Sequence, residues 1–160
     1  MKTSGSNNGG WKNTQIITYL NGEFYDKLPV ELRNVIIPTY PIVSGSSSSN
    51  DAPDITAEDV NLNKIYLARE IEITGYPNNA LNKNDKSRAF DFYAIGGHNS
   101  YWYKKDIEGN APNHLWLRDA YLASTGAFFG VRGGGGGTFA VAMNNADGGV
   151  SPVFRLGNNN

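Results

Sequence analysis

The chain has 160 residues and a mass of 17.4 kDa, the size of one domain with a single core. Its 14 basic and 15 acidic residues leave a net charge of −1, so neither a nucleic-acid footprint nor a basic face drawn to membranes is expected. There is no cysteine, which excludes disulfides, thiolate metal sites and a cysteine nucleophile; there is also no signal-peptide core behind Met1 and no apolar run of about 18 residues.

Residues 1–10 are rich in Gly, Ser and Asn and are expected to form a flexible lead-in to a folded domain over 11–157, with a tail at 158–160. From Trp11 the apolar positions Ile16, Tyr19, Leu20 and Phe24 recur at helical spacing, predicting a helix over 11–25 with that face on the core. A second short helix opens at Pro29, carries Glu31 in its first turn and a stripe of Leu32, Val35 and Ile36, and stops at Pro38. Residues 39–43 are then extended between prolines. The Ser-rich loop 44–54 runs into Asp51, Asp54, Glu58 and Asp59. Carboxylates of that kind can bind calcium, but without EF-hand spacing they read as a capping and solvated-loop cluster, and no cofactor is predicted.

Ile65, Tyr66 and Leu67 read as a buried strand, continued by the alternation of Ile71 and Ile73 to a turn at Gly75. After a polar loop over 78–88, two aromatic runs, Phe90 to Tyr93 and Tyr101 to Tyr103, predict a hairpin from about 90 to 104. Leu115-Trp116-Leu117-Arg118 and the segment 150–156 alternate apolar with polar residues, as half-buried strands do. Between them, 120–149 carries almost no charge beyond Arg132 and Asp147, and it reads as a display interval between two scaffold strands. Helices early and strands late give an α+β class: two helices flanking a twisted antiparallel sheet, loop-rich.

Leu115-Trp116-Leu117-Arg118 followed beyond the interval by Gly149-Val150-Ser151-Pro152-Val153-Phe154 resembles the WWLRSP…GVxPxF signature of a C-type-lectin-like domain family, related in fold to the formylglycine-generating enzyme. Gly9-Gly10-Trp11 with Tyr19-Leu20-Asn21-Gly22-Glu23-Phe24, and Lys64-Ile65-Tyr66-Leu67 with Glu70, look like further segments of that family. Several members resemble the variable proteins of diversity-generating retroelements in gut bacteria and their phages, in which the interval between the two strands is mutated at template adenines. Asn144 and Asn145 fit that pattern. Two departures stand out: the family's N-terminal hairpin has no counterpart ahead of Gly9, and Arg118-Asp119-Ala120 replaces its Arg-Ser-Pro.

Catalytic constellations are sparse. His98 and His114 lack a third metal ligand, and a partly buried histidine bonded to backbone is the preferred reading of each. The run 133–137 is five glycines without a following Lys-Ser/Thr, so a flexible hairpin tip is preferred to a phosphate loop. Trp116 reads as core rather than as a sugar platform.

The resemblance implies a non-enzymatic ligand-recognition module, a receptor-binding domain of a phage tail fibre or of a bacterial surface adhesin. It would act in the virion or at the cell surface on a bacterial protein or glycan, with a homotrimer as one form it can take. The alternatives are a catalytic domain of the formylglycine-generating type, for which the missing cysteine is the discriminator, and a purely structural tail or adhesin domain. Strand alternation inside the interval turns Phe128, Val131, Phe139, Val141 and Met143 inward. It leaves Gly130, Arg132, Thr138, Ala140 and Ala142 pointing out, with Tyr121, Leu122, Ser124 and Thr125 in the preceding loop and Asn144 and Asn145 in the following turn. One contiguous ligand patch is expected from these positions, with Tyr121 and Arg132 as its energetic anchors.

Overall fold

Trp11 and Leu20, both fully buried, fix where the N-terminal helical stretch meets the core. The computed structural model describes residues 7, 10–41, 62–74, 90, 109–110, 112–121, 124–132, 138–145 and 147–157. The predicted helix over 11–25 is present in three windings: a 3-10 turn at Gly10–Asn13, α1 at Gln15–Tyr19 and a π turn at Leu20–Phe24. The changes in pitch rotate the buried face. Ile17 is therefore buried, Ile16 and Phe24 are half-buried, and Tyr19 is exposed, a correction to the expected stripe.

The second helix, α2, spans Val30–Val35 with Pro29 as its N-cap, and none of its residues is buried. Ile36 leaves the helix for a strand, β1 (Ile36–Ile37), because a β-branched pair ahead of Pro38 favours extended backbone. After β2 (Tyr66–Leu67) the expected alternation through Ile71 and Ile73 is instead a helix, α3 (Glu70–Thr74), with both isoleucines buried. Its start is capped twice: Glu72 Oε2 accepts the Arg69 N–H at 2.8 Å, the return half of a capping box, and Asp119 Oδ2 accepts the Glu70 N–H at 2.7 Å.

The principal sheet has the order β5-β4-β3-β6, built from β3 (His114–Ala120), β4 (Ala127–Arg132), β5 (Thr138–Ala142) and β6 (Gly148–Gly149). Strands β3, β4 and β5 are antiparallel, with Trp116 opposite Gly130 and Gly130 opposite Phe139; β6 runs parallel to the start of β3. The C-terminal scaffold segment is two short strands rather than one: β7 (Pro152–Val153) pairs with β2 and β8 (Arg155–Leu156) with β1. The class is α+β.

Each face of the sheet carries its own apolar cluster. Trp116, Ala120, Phe128, Val141 and Met143 pack with Trp11, Ile17, Leu20, Ile65 and Leu67 on one side. Leu117, Phe129 and Val131 pack with Ala68 and Ile73 on the other. All seven residues of β3 are consequently buried, so the half-buried alternation expected at 115–118 gives way to a strand covered on both faces. The lead-in reading also fails at Asn7 and Gly10, which are buried; Asn7 has no exposed surface and its N–H donates to the Thr125 carbonyl at 2.6 Å. The acidic run 51–59, the hairpin 90–104 apart from Phe90, His98, Leu122, the glycine run 133–137 and the tail 158–160 lie outside the described residues.

Candidate functional site

Between Trp116 and Ala120 the register of β3 against β4 shifts, and the extra residues bulge toward β2 and α3. The Arg118 N–H donates to the Ala68 carbonyl at 3.0 Å, and its guanidinium forks onto both oxygens of Glu72 at 2.7 Å and reaches the Leu67 carbonyl. Asp119 Oδ1 takes Arg69 Nε at 2.8 Å. These groups are almost fully withdrawn from water, with Arg118 only 1 % exposed, and each described charge has an opposite partner, as burial requires. The network is a brace that ties β3 to α3.

Beyond the brace the chain turns. Tyr121 is half-buried, its ring edge-on to Phe129 at 5.1 Å, so it contributes to the core as well as to the surface. The Tyr121 N–H donates to Ala127 O at 3.1 Å, and Gly126 N–H to Ser124 Oγ at 3.3 Å. Ser124 and Thr125 are exposed. The turn after β5 lies alongside, because Met143 N–H donates to Gly126 O at 3.0 Å. It presents Asn144 and Asn145 to solvent, and Asn145 Oδ1 accepts the Asp147 N–H at 2.8 Å. Ser124, Thr125, Asn144 and Asn145 thus form one patch of hydroxyls and amides, able to donate and accept hydrogen bonds and lacking a titratable group.

The remaining predicted positions do not join that patch. Arg132 is exposed at the other end of β4, about 17 Å along the strand from Ala127, with its guanidinium 5.1 Å from the Phe139 ring centroid. Thr138, at that same end, is half-buried and its hydroxyl donates to Glu70 Oε1. Ala140 is exposed midway along β5, as is Ala142 near the turn. Gly130 does not point out: it is buried, and a Cβ there would sit 2.6 Å from Val141 Cγ2. The single expected patch therefore divides, since the two sheet ends are separated by the length of the hairpin.

At the Arg132 end, His114 is 2 % exposed and edge-on to Trp116 at 4.8 Å and to Phe139 at 5.9 Å. Its Nε2 has no hydrogen-bond partner, in contrast to the backbone-bonded histidine expected. Burial pushes the imidazole below its ordinary 6.5, opposed by the Asp147 carboxylate. Among the described residues no group of three or more His, Asp or Glu is arranged to hold a metal ion, and no helix is long and apolar enough to cross a membrane.

The residue that sequence reasoning missed is Asn7. Its side-chain amide donates to the carbonyls of Tyr121 at 3.0 Å, Ser124 at 3.0 Å and Ala127 at 2.7 Å. An asparagine in a Gly/Ser/Asn-rich segment carries no periodicity to mark it. A family model described as a domain of unknown function, DUF6273, matches residues 1–157. The chain belongs to the DUF6273 family. That match begins ahead of the described helical stretch, so the segment holding Asn7 is part of the DUF6273 domain. No curated protein and no solved structure matches the chain.

Proposed function

We propose that this chain is a non-enzymatic recognition domain of C-type-lectin-like architecture, carried at the tip of a phage tail fibre or on a bacterial surface adhesin. It binds a protein or glycan of a bacterial cell surface, and a diversity-generating retroelement varies its 120–149 interval. The observation that carries the reading is the pairing of two exposed polar turns, Ser124–Thr125 and Asn144–Asn145, beside a strand locked by the Arg118 and Asp119 ion pairs. Rigid framework beneath small, adaptable polar residues is the arrangement of an evolvable binding surface. The signature segments 115–118 and 152–156 supply that framework in this reading. The lack of any cysteine weighs against the formylglycine-generating alternative.

The test is a multimerised form of the chain applied to a glycan array and to whole gut-bacterial cells, beside a variant with Ser124, Thr125, Asn144 and Asn145 all changed to Ala. The variant is expected to lose at least about tenfold in affinity, roughly 1.4 kcal/mol, with its melting temperature nearly unchanged. Absence of binding by the parent, or equal binding by the variant, would sink the proposal. In the neighbouring DNA, a reverse transcriptase beside an imperfect copy of the interval differing at adenines is the expected mark of diversification.

A further inference from the structure

Three carbonyls of one turn, those of Tyr121, Ser124 and Ala127, converge on a single buried amide nitrogen, that of Asn7. Acceptor-only partners on all three sides fix the assignment of that atom as the NH2 group, because an oxygen there would face three other oxygens. A fourth bond, from the Asn7 N–H to Thr125 O at 2.6 Å, extends the grip to Thr125. Every one of these contacts ends on main chain. Carbonyls withdrawn from water need donors; the turn's own main chain supplies two, Tyr121 N–H to Ala127 O at 3.1 Å and Ser124 N–H to Tyr121 O at 3.4 Å, and the side-chain donor comes from a residue more than a hundred positions away in sequence.

We infer that Asn7 is a backbone clamp that fixes the main chain at Tyr121, Ser124, Thr125 and Ala127 whatever side chains stand at 124 and 125, and is a positioning residue for the recognition surface. The inference rests on the recognition reading for its purpose, but not for its physics. Positions 124 and 125 are exposed and their side chains carry no part of the clamp. Among the described residues of the turn, the side-chain contact Gly126 N–H to Ser124 Oγ is long and open to water, which replaces it at little cost. Tyr121 and Ala127 are held differently, by packing on Phe129 and by burial, so tolerance is confined to the outer pair. A surface that must accept many side chains at fixed geometry needs such a clamp, since a turn shaped by its own side chains changes form whenever they change.

The test is amide hydrogen exchange on the full chain, with no ligand needed, so that failure of the clamp and failure of the recognition reading give separate results. Two variants are compared with the parent: Asn7→Ala, and the pair Ser124→Arg with Thr125→Tyr. In Asn7→Ala the amides of Tyr121 and Met143, which donate to Ala127 O and Gly126 O, are expected to exchange at least tenfold faster, while Phe129 and Val131 in β4 stay within about twofold. In the Ser124/Thr125 pair all four amides should keep the parent rates. Uniform acceleration across β4 would reduce Asn7 to an ordinary core residue and overturn the inference, as would unchanged rates at Tyr121 and Met143. The second variant leaves Asn7 untouched, so it decides the matter even if Asn7→Ala fails to fold. Lost protection at Tyr121 in that variant would show that the side chains shape the turn after all.

Discussion

At Gly148 a single hydrogen atom matters. A Cβ at this position would lie 2.3 Å from both His114 Nε2 and Trp116 Nε1, two rings that stand edge to face on the buried side of β3. Neither ring can swing away without disturbing the core cluster, so Gly148→Ala is expected to cost about 1–3 kcal/mol in chemical denaturation, with Gly22→Ala, which has nothing within 4 Å, as the clash-free control. A loss no larger than the control's would show that β6 is free to shift. His114 itself gives the chain a pH dependence. Burial holds its folded-state pKa below the ordinary 6.5, so the unfolded chain takes up the proton more readily. The stability it supports is intact above pH 6.5 and is lost as pH falls through the folded value. Melting temperature measured from pH 7.5 to 5 should decline in the parent and decline less in His114→Gln, which separates this residue from His98; parallel curves would remove His114 as the cause.

The brace between β3 and α3 explains why a strand carrying Arg118 and Asp119 can be buried on both faces. Arg118 satisfies Glu72 and the carbonyls of Leu67 and Ala68, while Asp119 satisfies Arg69 and caps α3. Removing one member leaves an opposite charge stranded. Arg118→Ala is therefore expected to destabilise by about 3–5 kcal/mol, and the double variant Arg118→Met, Glu72→Gln to recover part of that, since no unpaired carboxylate remains. Equilibrium urea unfolding measures both, and a single-variant cost below about 1 kcal/mol would mean that water enters the brace. Asn21 makes a comparable uncharged tie: its amide donates to Ile17 O and Ile65 O and its oxygen accepts the Lys64 and Ile65 N–H groups, fastening the π turn to the approach of β2.

The four-stranded sheet separates two apolar clusters, and its two ends differ in character. One end, gripped by Asn7, presents the neutral polar turns; the other holds Arg132 over Phe139 beside the buried His114. An exposed arginine at a strand end and a half-buried tyrosine behind the opposite turn cannot anchor one compact ligand together, because the β4–β5 hairpin lies between them. In the recognition reading proposed above, the anchors fall instead to Ser124, Thr125, Asn144 and Asn145, with Tyr121 half-buried behind them.

Local pattern in the chain was enough for several features: the α+β class, the helical stretch opening at Trp11, the core positions of Trp116, Phe128, Val141 and Met143, and outward Ala140 and Ala142. These follow from periodicity and side-chain size, which act between near neighbours. Long-range partners governed the rest. Arg118 and Asp119 look solvent-facing until Glu72 and Arg69 arrive from α3, and the isoleucines of α3 look like a strand until Asp119 caps their first turn. Gly130 looks like an outward strand position and Gly148 like part of the display interval until Val141, His114 and Trp116 close on them. Asn7 reads as part of a flexible lead-in because its surroundings bury no apolar area, yet folding brings its amide to three carbonyls more than a hundred residues further along the chain. Hydrogen bonds and ion pairs between distant segments leave no period in a sequence, whereas apolar faces do, and that difference divides what could be read from what had to be seen folded.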